Sequence, residues 1–267
     1  MTDFVLIHGA YQGGWIWAPV AKRLRDAGHR VITPTLDGCG ERGSQMRAGI
    51  TTESQAEEIA KLLWFEDLSN VVLAGTSSGG MVMARVAESV PERISRVVFA
   101  DALALLDGEK VRDIVTRPAT INTEIALGPS REDAYGRLFA GLDEKTRNWA
   151  ADRITLHPTA VFHQPVKLPK FWSMKWNASV LYCNEAPNPG EAHIRRSADK
   201  LGAKYHVLAT GHYPMLSKPD ELTRIIAEGY SLSLALAVVP RASKCSPQRV
   251  EWEATTLRRR AFFSPPA

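Results

Sequence analysis

Ten residues constrain this chain more than any others: Val71-Val72-Leu73-Ala74-Gly75-Thr76-Ser77-Ser78-Gly79-Gly80. An apolar run enters Gly-x-Ser-x-Gly, and a helix-forming stretch, residues 81–89, follows. A strand that turns sharply into a helix puts the serine at the apex of the turn, in a strained backbone conformation. The glycines two before and two after it leave room where a Cβ would collide with the neighbouring strand and helix. Ser77 is then expected to raise its hydroxyl above a sheet, at the positive end of the following helix. The five-residue pattern by itself is a weak signal. At about 7% Gly, and a similar share assumed for Ser, chance supplies it in roughly one chain of this length in ten. The strand before it and the helix after it give it weight.

A chain of 267 residues has room for one substantial α/β domain with an insertion, or for two small domains. Its apolar and charged shares, 45% and 23%, are those of an ordinary globular protein. No run of about 18 apolar residues predicts a transmembrane helix. The start, Met-Thr-Asp-Phe-Val-Leu-Ile-His-Gly, carries no basic n-region or cleavage site and runs straight into an apolar strand, so a cytoplasmic protein is expected. Cys39, Cys183 and Cys245 are far apart and odd in number, which predicts reduced thiols and no metal knuckle. The net charge of +4 is local. Residues 231–267 hold six basic side chains against Glu251 and Glu253, which accounts for all of it and leaves residues 1–230 neutral. The body therefore has no electrostatic footprint for nucleic acid or an anionic membrane.

Short apolar runs alternate with helical patterns over the first hundred residues. Strands are predicted at 4–7, 30–33, 71–74 and 96–100, with helices at 17–27, 54–65 and 81–89. In the second helix Ala56, Ile59, Ala60 and Leu63 repeat at i, i+3, i+4, i+7. Continuous apolar strands between helices predict a parallel sheet covered on both faces. The rhythm breaks from 105 to 177, a stretch rich in Pro, Asp, Arg and scattered aromatics, with short helices expected at 132–139 and 143–151. It resumes with strands at 179–183 and 205–208 and helices at 191–201 and 219–229. Residues 1–104 and 178–230 thus read as the core and 105–177 as a cap over the serine. Residues 231–267 read as a basic tail, disordered or non-native.

A serine hydroxyl needs a base, and the base needs an orienting carboxylate. Of seven histidines His212 is placed best, in Ala-Thr-Gly-His-Tyr-Pro between the last strand and the last helix. His8, at the end of the first strand, reads as structural, and His157 and His163 in the cap lack the partners of a metal site. His8-Gly9-Ala10 lies beyond the first strand, where backbone N–H groups stabilise a developing oxyanion together with the N–H after the nucleophile. Ala10 and Ser78 are assigned to that hole. The acid has two candidates. Asp101 follows the strand at 96–100 among apolar residues, where a buried carboxylate needs a partner, although it also suits a helix N-cap. Glu185 follows the strand at 179–183. Asp101 is preferred and Glu185 is the alternative.

Three motifs, His-Gly-Ala-Tyr-Gln-Gly-Gly-Trp, Thr-Pro-Thr-Leu-Asp-Gly-Cys-Gly-Glu-Arg and Gly-Thr-Ser-Ser-Gly-Gly-Met-Val, together resemble the α/β-hydrolase superfamily. The resemblance is greatest to the branch of plant methylesterases, salicylate-binding esterases, hydroxynitrile lyases and bacterial pyrethroid-hydrolysing carboxylesterases. It extends through Pro-Glu-Arg-Ile after the elbow helix and His-Pro-x5-Gln-Pro-x-Lys-Leu-Pro before the fifth strand, and spans roughly residues 3–229. It implies an α/β-hydrolase fold, a mostly parallel sheet with helices on both faces. A small helical cap is inserted after the strand that follows the elbow. It also implies serine esterase chemistry without cofactor or metal. In some members the acid follows the strand after the elbow, which supports Asp101. Thr76 stands where the branch often has histidine, and Tyr11-Gln12 where plant members often have a small residue or cysteine, then histidine. Tyr213 replaces the lysine that handles cyanide in the lyases, which argues against lyase activity, and a serine nucleophile argues against the dehalogenases.

The expectation is a serine carboxylesterase with Ser77, His212 and Asp101 as its triad, acting on a small ester. A lactone, amide or carbamate hydrolase, or a lyase or cofactor-free oxygenase on this fold, is the alternative. Tyr11, Trp172 and Trp176 are expected to touch substrate, and the aromatic cap predicts an apolar or aromatic ester. Monomer and homodimer stay open.

Overall fold

Phe4, Val5, Leu6 and Ile7 are all fully buried, and alternate members of the run serve different cores. Val5 and Ile7 belong to one apolar cluster, Phe4 and Leu6 to another. The same alternation holds for Val71 and Leu73 against Val72 and Ala74, and for Val97 and Phe99 against Val98 and Ala100. Side chains of a strand point to opposite faces with period two, so an unbroken apolar run is what a sheet covered on both faces requires.

The chain is seen in a computed structural model that describes residues 1–115, 119–230 and 232. Its strands in chain order are β1 (Asp3–Ile7), β2 (Arg30–Ile32), β3 (Val71–Ser77), β4 (Ile94–Ala102), the short β5 (Ile121–Asn122), β6 (Ala126–Gly128) and β7 (His157–Pro158), then β8 (Ala178–Cys183) and β9 (Lys204–Leu208). Six of them form one parallel sheet in the order β2-β1-β3-β4-β8-β9. Helices α1 (Ala18–Asp26), α2 (Thr52–Phe65) and α3 (Gly79–Ser89) connect its first half. Buried side chains of α2 and α3 pack into the cluster under Val5, those of α1 into the cluster under Phe4. Each fully buried Leu, Ile or Phe contributes about 1.5–3 kcal/mol of transfer free energy. At the start of α2 Thr51 Oγ1 accepts from the Ser54 N–H at 3.1 Å while Ser54 Oγ accepts from the Thr51 N–H at 2.9 Å, a capping box that fixes where this helix begins.

Between β4 and β8 the chain leaves the sheet. Short helices lie there, among them α4 (Val111–Ile114), α5 (Arg131–Asp133), α6 (Glu144–Ala151) and α7 (Thr159–His163). So does an antiparallel three-stranded sheet, β5-β6-β7, which the sequence reading did not foresee. Its strands are two or three residues long, too short to show a period. The stretch at 132–139 is α5 followed by a wider turn at Ala134–Leu138 rather than one regular helix. Thr155 N–H donates to the Tyr11 carbonyl at 2.9 Å, and the Cys39 thiol meets His157 Nδ1 at 3.2 Å. Both contacts tie this excursion to loops at the ends of β1 and β2.

β8 and β9 are joined by α8 (Glu191–Leu201), and α9 (Pro214–Ser217) and α10 (Pro219–Ile226) follow β9. α8 ends where Gly202 adopts a left-handed conformation, as its position after Leu201 requires. Among the described residues no helix is long and apolar enough to cross a membrane. The residues through Leu232 that are described belong to a single unit. The basic tail, with Cys245, lies outside the described residues.

Candidate active site

β3 carries the apolar run into the turn, and Ser77 is its last residue. Its φ is +50°, in the left-handed region that a serine adopts only at a cost of about 1–3 kcal/mol. The surroundings hold it there. The Leu103 N–H donates to the Ser77 carbonyl at 2.8 Å, and α3, buried along most of its length, starts two residues later. A Cβ on Gly79 would stand 2.4 Å from the His8 carbonyl oxygen, and one on Gly75 2.9 Å from the Gly79 oxygen. The two glycines of the motif are therefore required by main-chain approach, as the pattern predicts.

Asp101 sits inside β4 and not at a helix start, which corrects the N-cap alternative. The register with β3 slips at this point: Thr76 pairs with Ala100 but Ser77 with Ala102. Asp101 is the extra residue of a bulge, at φ +49°, and bulges re-aim the side chain they carry. Its carboxylate is fully buried. Oδ1 accepts from the Cys183 N–H at 3.1 Å, and Oδ2 lies 2.5 Å from His212 Nδ1. With Nδ1–H given to Asp101, His212 Nε2 is left as an acceptor. Glu185 is exposed, and its backbone N–H binds the Thr210 carbonyl. It does not line the cavity described next.

Ser77 and His212 line one cavity of about 130 Å³, together with Ala10, Tyr11 and Ser78. Gly9 lies against the serine, because a Cβ there would fall 2.5 Å from Ser77 Cβ. That approach brings the loop after β1, with Ala10, beside Ser77. Ser78 stands at the start of α3, where N–H groups have no partner inside the helix. Tyr11 is at φ +69°. Its ring stacks on Phe162 at 5.8 Å and meets His157 edge-on. Burial pushes its hydroxyl up to about 12. His8 is fully buried and structural, as expected: its Nε2 accepts from the Leu36 N–H at 3.0 Å and Nδ1 faces the Gly9 carbonyl at 2.7 Å. Burial lowers its pKa to about 4.

Trp172 and Trp176 are not at the cavity, a correction to their expected contact with substrate. Trp172 Nε1 donates to the Leu105 carbonyl at 3.1 Å, and Trp176 stacks on the fully buried Phe171 while donating to its carbonyl at 3.0 Å. Both indoles found backbone acceptors at the base of the excursion. In their place Val111, Arg112, Arg137, Leu138 and Phe162 line the cavity. No periodicity or motif marked the two arginines. Among the described residues no cluster of His, Cys, Asp and Glu is fit to hold a metal ion.

The chain is 29% identical over 240 residues to a carbendazim hydrolyzing esterase of Nocardioides sp. (strain SG-4G), an alignment covering 85% of this chain and 99% of that one. It is 39% identical over 245 residues to methylesterase 1 of Arabidopsis thaliana, covering 82% and 92%. An extracellular α/β-hydrolase from a Paenibacillus species has the same fold, with a TM-score of 0.70 at 24% identity over 85% of this chain and 98% of that one. Residues 4–225 match the Alpha/beta hydrolase family, and the chain belongs to it.

Proposed function

We propose that the protein is a serine carboxylesterase acting on small esters through an acyl-enzyme. The observation that carries this reading is the buried Asp101 carboxylate 2.5 Å from His212 Nδ1, with His212 and the strained Ser77 on one cavity. The names of the relatives, an esterase and a methylesterase, support an ester as the bond cleaved.

His212 Nε2 takes the proton of Ser77 as Oγ attacks the acyl carbon, and Asp101 stabilises the imidazolium that forms. The N–H groups of Ala10 and Ser78 hold the oxyanion, each worth about 3 kcal/mol in the transition state. Collapse of the tetrahedral intermediate breaks the C–O bond, and His212 returns the proton to the leaving alkoxide. The acyl group is now on Ser77. A water loses its proton to His212 and attacks the acyl carbon. The acid leaves and Ser77 Oγ regains its hydrogen. These steps need no cofactor. Phe162, Leu138 and Val111 support an apolar or aromatic substrate portion.

Labelling with a fluorophosphonate probe tests the reading. Ser77 is expected to be the labelled residue, and Ser77→Ala is expected to abolish turnover of p-nitrophenyl acetate. Absence of label on Ser77, or turnover surviving the substitution, overturns it.

A further inference from the structure

Two guanidinium groups, those of Arg112 and Arg137, line the cavity that holds Ser77 and His212, and the ester-cleaving steps use neither. The wall around them is apolar, with Val111, Leu138 and Phe162. Arg137 Nη2 donates to the Asp133 carboxylate, which also accepts from the Thr120 hydroxyl at 2.7 Å. This edge-on hold orients the planar guanidinium before any substrate arrives. Its Nε is shut off from solvent and has no hydrogen-bond partner among the described residues. Arg96 and Arg196 share that feature, and like Arg137 they belong to ion pairs, with Glu228 and Glu109, but they do not line the cavity.

Arg112, Arg137 and Asp133 are charged groups that act on the Tyr11 hydroxyl at this end of the cavity. An anion losing its hydration there needs cations and N–H donors in compensation, and a carboxylate matches a guanidinium edge best.

We propose that this end of the cavity receives a free carboxylate on the non-reacting part of the substrate. The preferred substrates are then half-esters, molecules with one ester and one carboxylate. Arg137, held by Asp133, is the specificity-determining residue, and Arg112 adds charge. The proposal rests on the esterase reading above.

Two matched substrate pairs test it. p-Nitrophenyl hydrogen glutarate against p-nitrophenyl pentanoate puts the carboxylate on the acyl side; 4-acetoxybenzoate against 4-acetoxybenzamide puts it on the alcohol side. In at least one pair the carboxylate member is expected to have a kcat/KM about tenfold higher, mostly through a lower KM. Arg137→Met is expected to shrink that ratio at least about fivefold, and Arg137→Lys to keep part of it. Preference for the neutral member in both pairs overturns the proposal, and so does a ratio that Arg137→Met leaves unchanged. Should Arg137→Met not fold, the wild-type ratios and the Arg112→Met ratio decide. Failure of the proposal alone leaves Ser77-dependent turnover of the neutral members. Failure of the esterase reading removes Ser77-dependent turnover of every member, and this proposal falls with it.

Discussion

On the sheet side of the cavity the groups proposed to react are set by the main chain. Ser77 and Asp101 both sit at positive φ, one at a turn and one at a bulge, and glycines at 9, 75 and 79 allow backbones to touch. On the opposite side the lining is side chains, Val111, Arg137, Leu138 and Phe162, carried by short helices and turns between β4 and β8. A group placed by a six-stranded sheet cannot move by an ångström without disturbing the sheet. A side chain on a short helix can be exchanged locally. The first wall suits chemistry that tolerates no displacement, the second suits choice of substrate.

The largest effects are expected on the sheet side. Asp101→Asn should lower kcat about 10⁴-fold, since the amide no longer holds the Nδ1–H tautomer, while Glu185→Gln changes it less than about twofold. Steady-state kinetics on p-nitrophenyl esters give both numbers, and the reverse order would move the acid to Glu185. Gly79→Ala, whose new Cβ would lie 2.4 Å from the His8 carbonyl oxygen, should cost about 3 kcal/mol by overpacking in urea unfolding. A near-wild-type midpoint would show that the turn yields. On the opposite side Phe162→Ala should shift KM about tenfold and reorder an ester panel with kcat nearly kept. An equal loss in kcat for every ester would place Phe162 in the chemistry instead.

One buried histidine on each side gives a pH prediction. Burial lowers His8 to about 4 and His157 to about 3, where the unfolded chain has imidazoles near 6.5. The unfolded state therefore binds more protons below about pH 6.5, and stability is full above that value and falls as pH drops toward about 4. The urea midpoint should decline between about pH 7 and pH 4.5, and a flat profile would refute it. The smallest effect is expected from Trp176→Phe, which keeps the stack on Phe171 and loses one hydrogen bond to a carbonyl. It should cost about 1 kcal/mol and leave the ranking of esters unchanged in the same panel.

Most of the sheet strands and long helices were legible because they have a period or an unbroken apolar run of at least three residues; β2 and β9 have runs of only two, Val31-Ile32 and Val207-Leu208. β3 proved longer than its apolar run, since Gly75, Thr76 and Ser77 continue the ladder to the turn. β5, β6 and β7 were not legible, because such short strands in an irregular stretch depend on their partners for existence; β2, also three residues long, stands in the regular alternation with helices. Trp172 and Trp176 were misplaced for a related reason. An aromatic residue in an irregular stretch carries no mark of which way it faces, and the carbonyls of Leu105 and Phe171 decided it.

The sequence by itself determined the parallel α/β core, the elbow at Ser77 and the histidine after the last strand. Each follows from short-range rules: strand runs, a glycine spacing, a loop position. It also put Asp101 and Glu185 forward as candidates for one carboxylate. Only the tertiary structure separates them, through a one-residue register slip between β3 and β4 that turns Asp101 toward His212 and the Cys183 N–H. It alone brings Arg112 and Arg137 to the cavity. Register, and the packing of the stretch between β4 and β8, are set by contacts between residues tens of positions apart, and no local pattern encodes them.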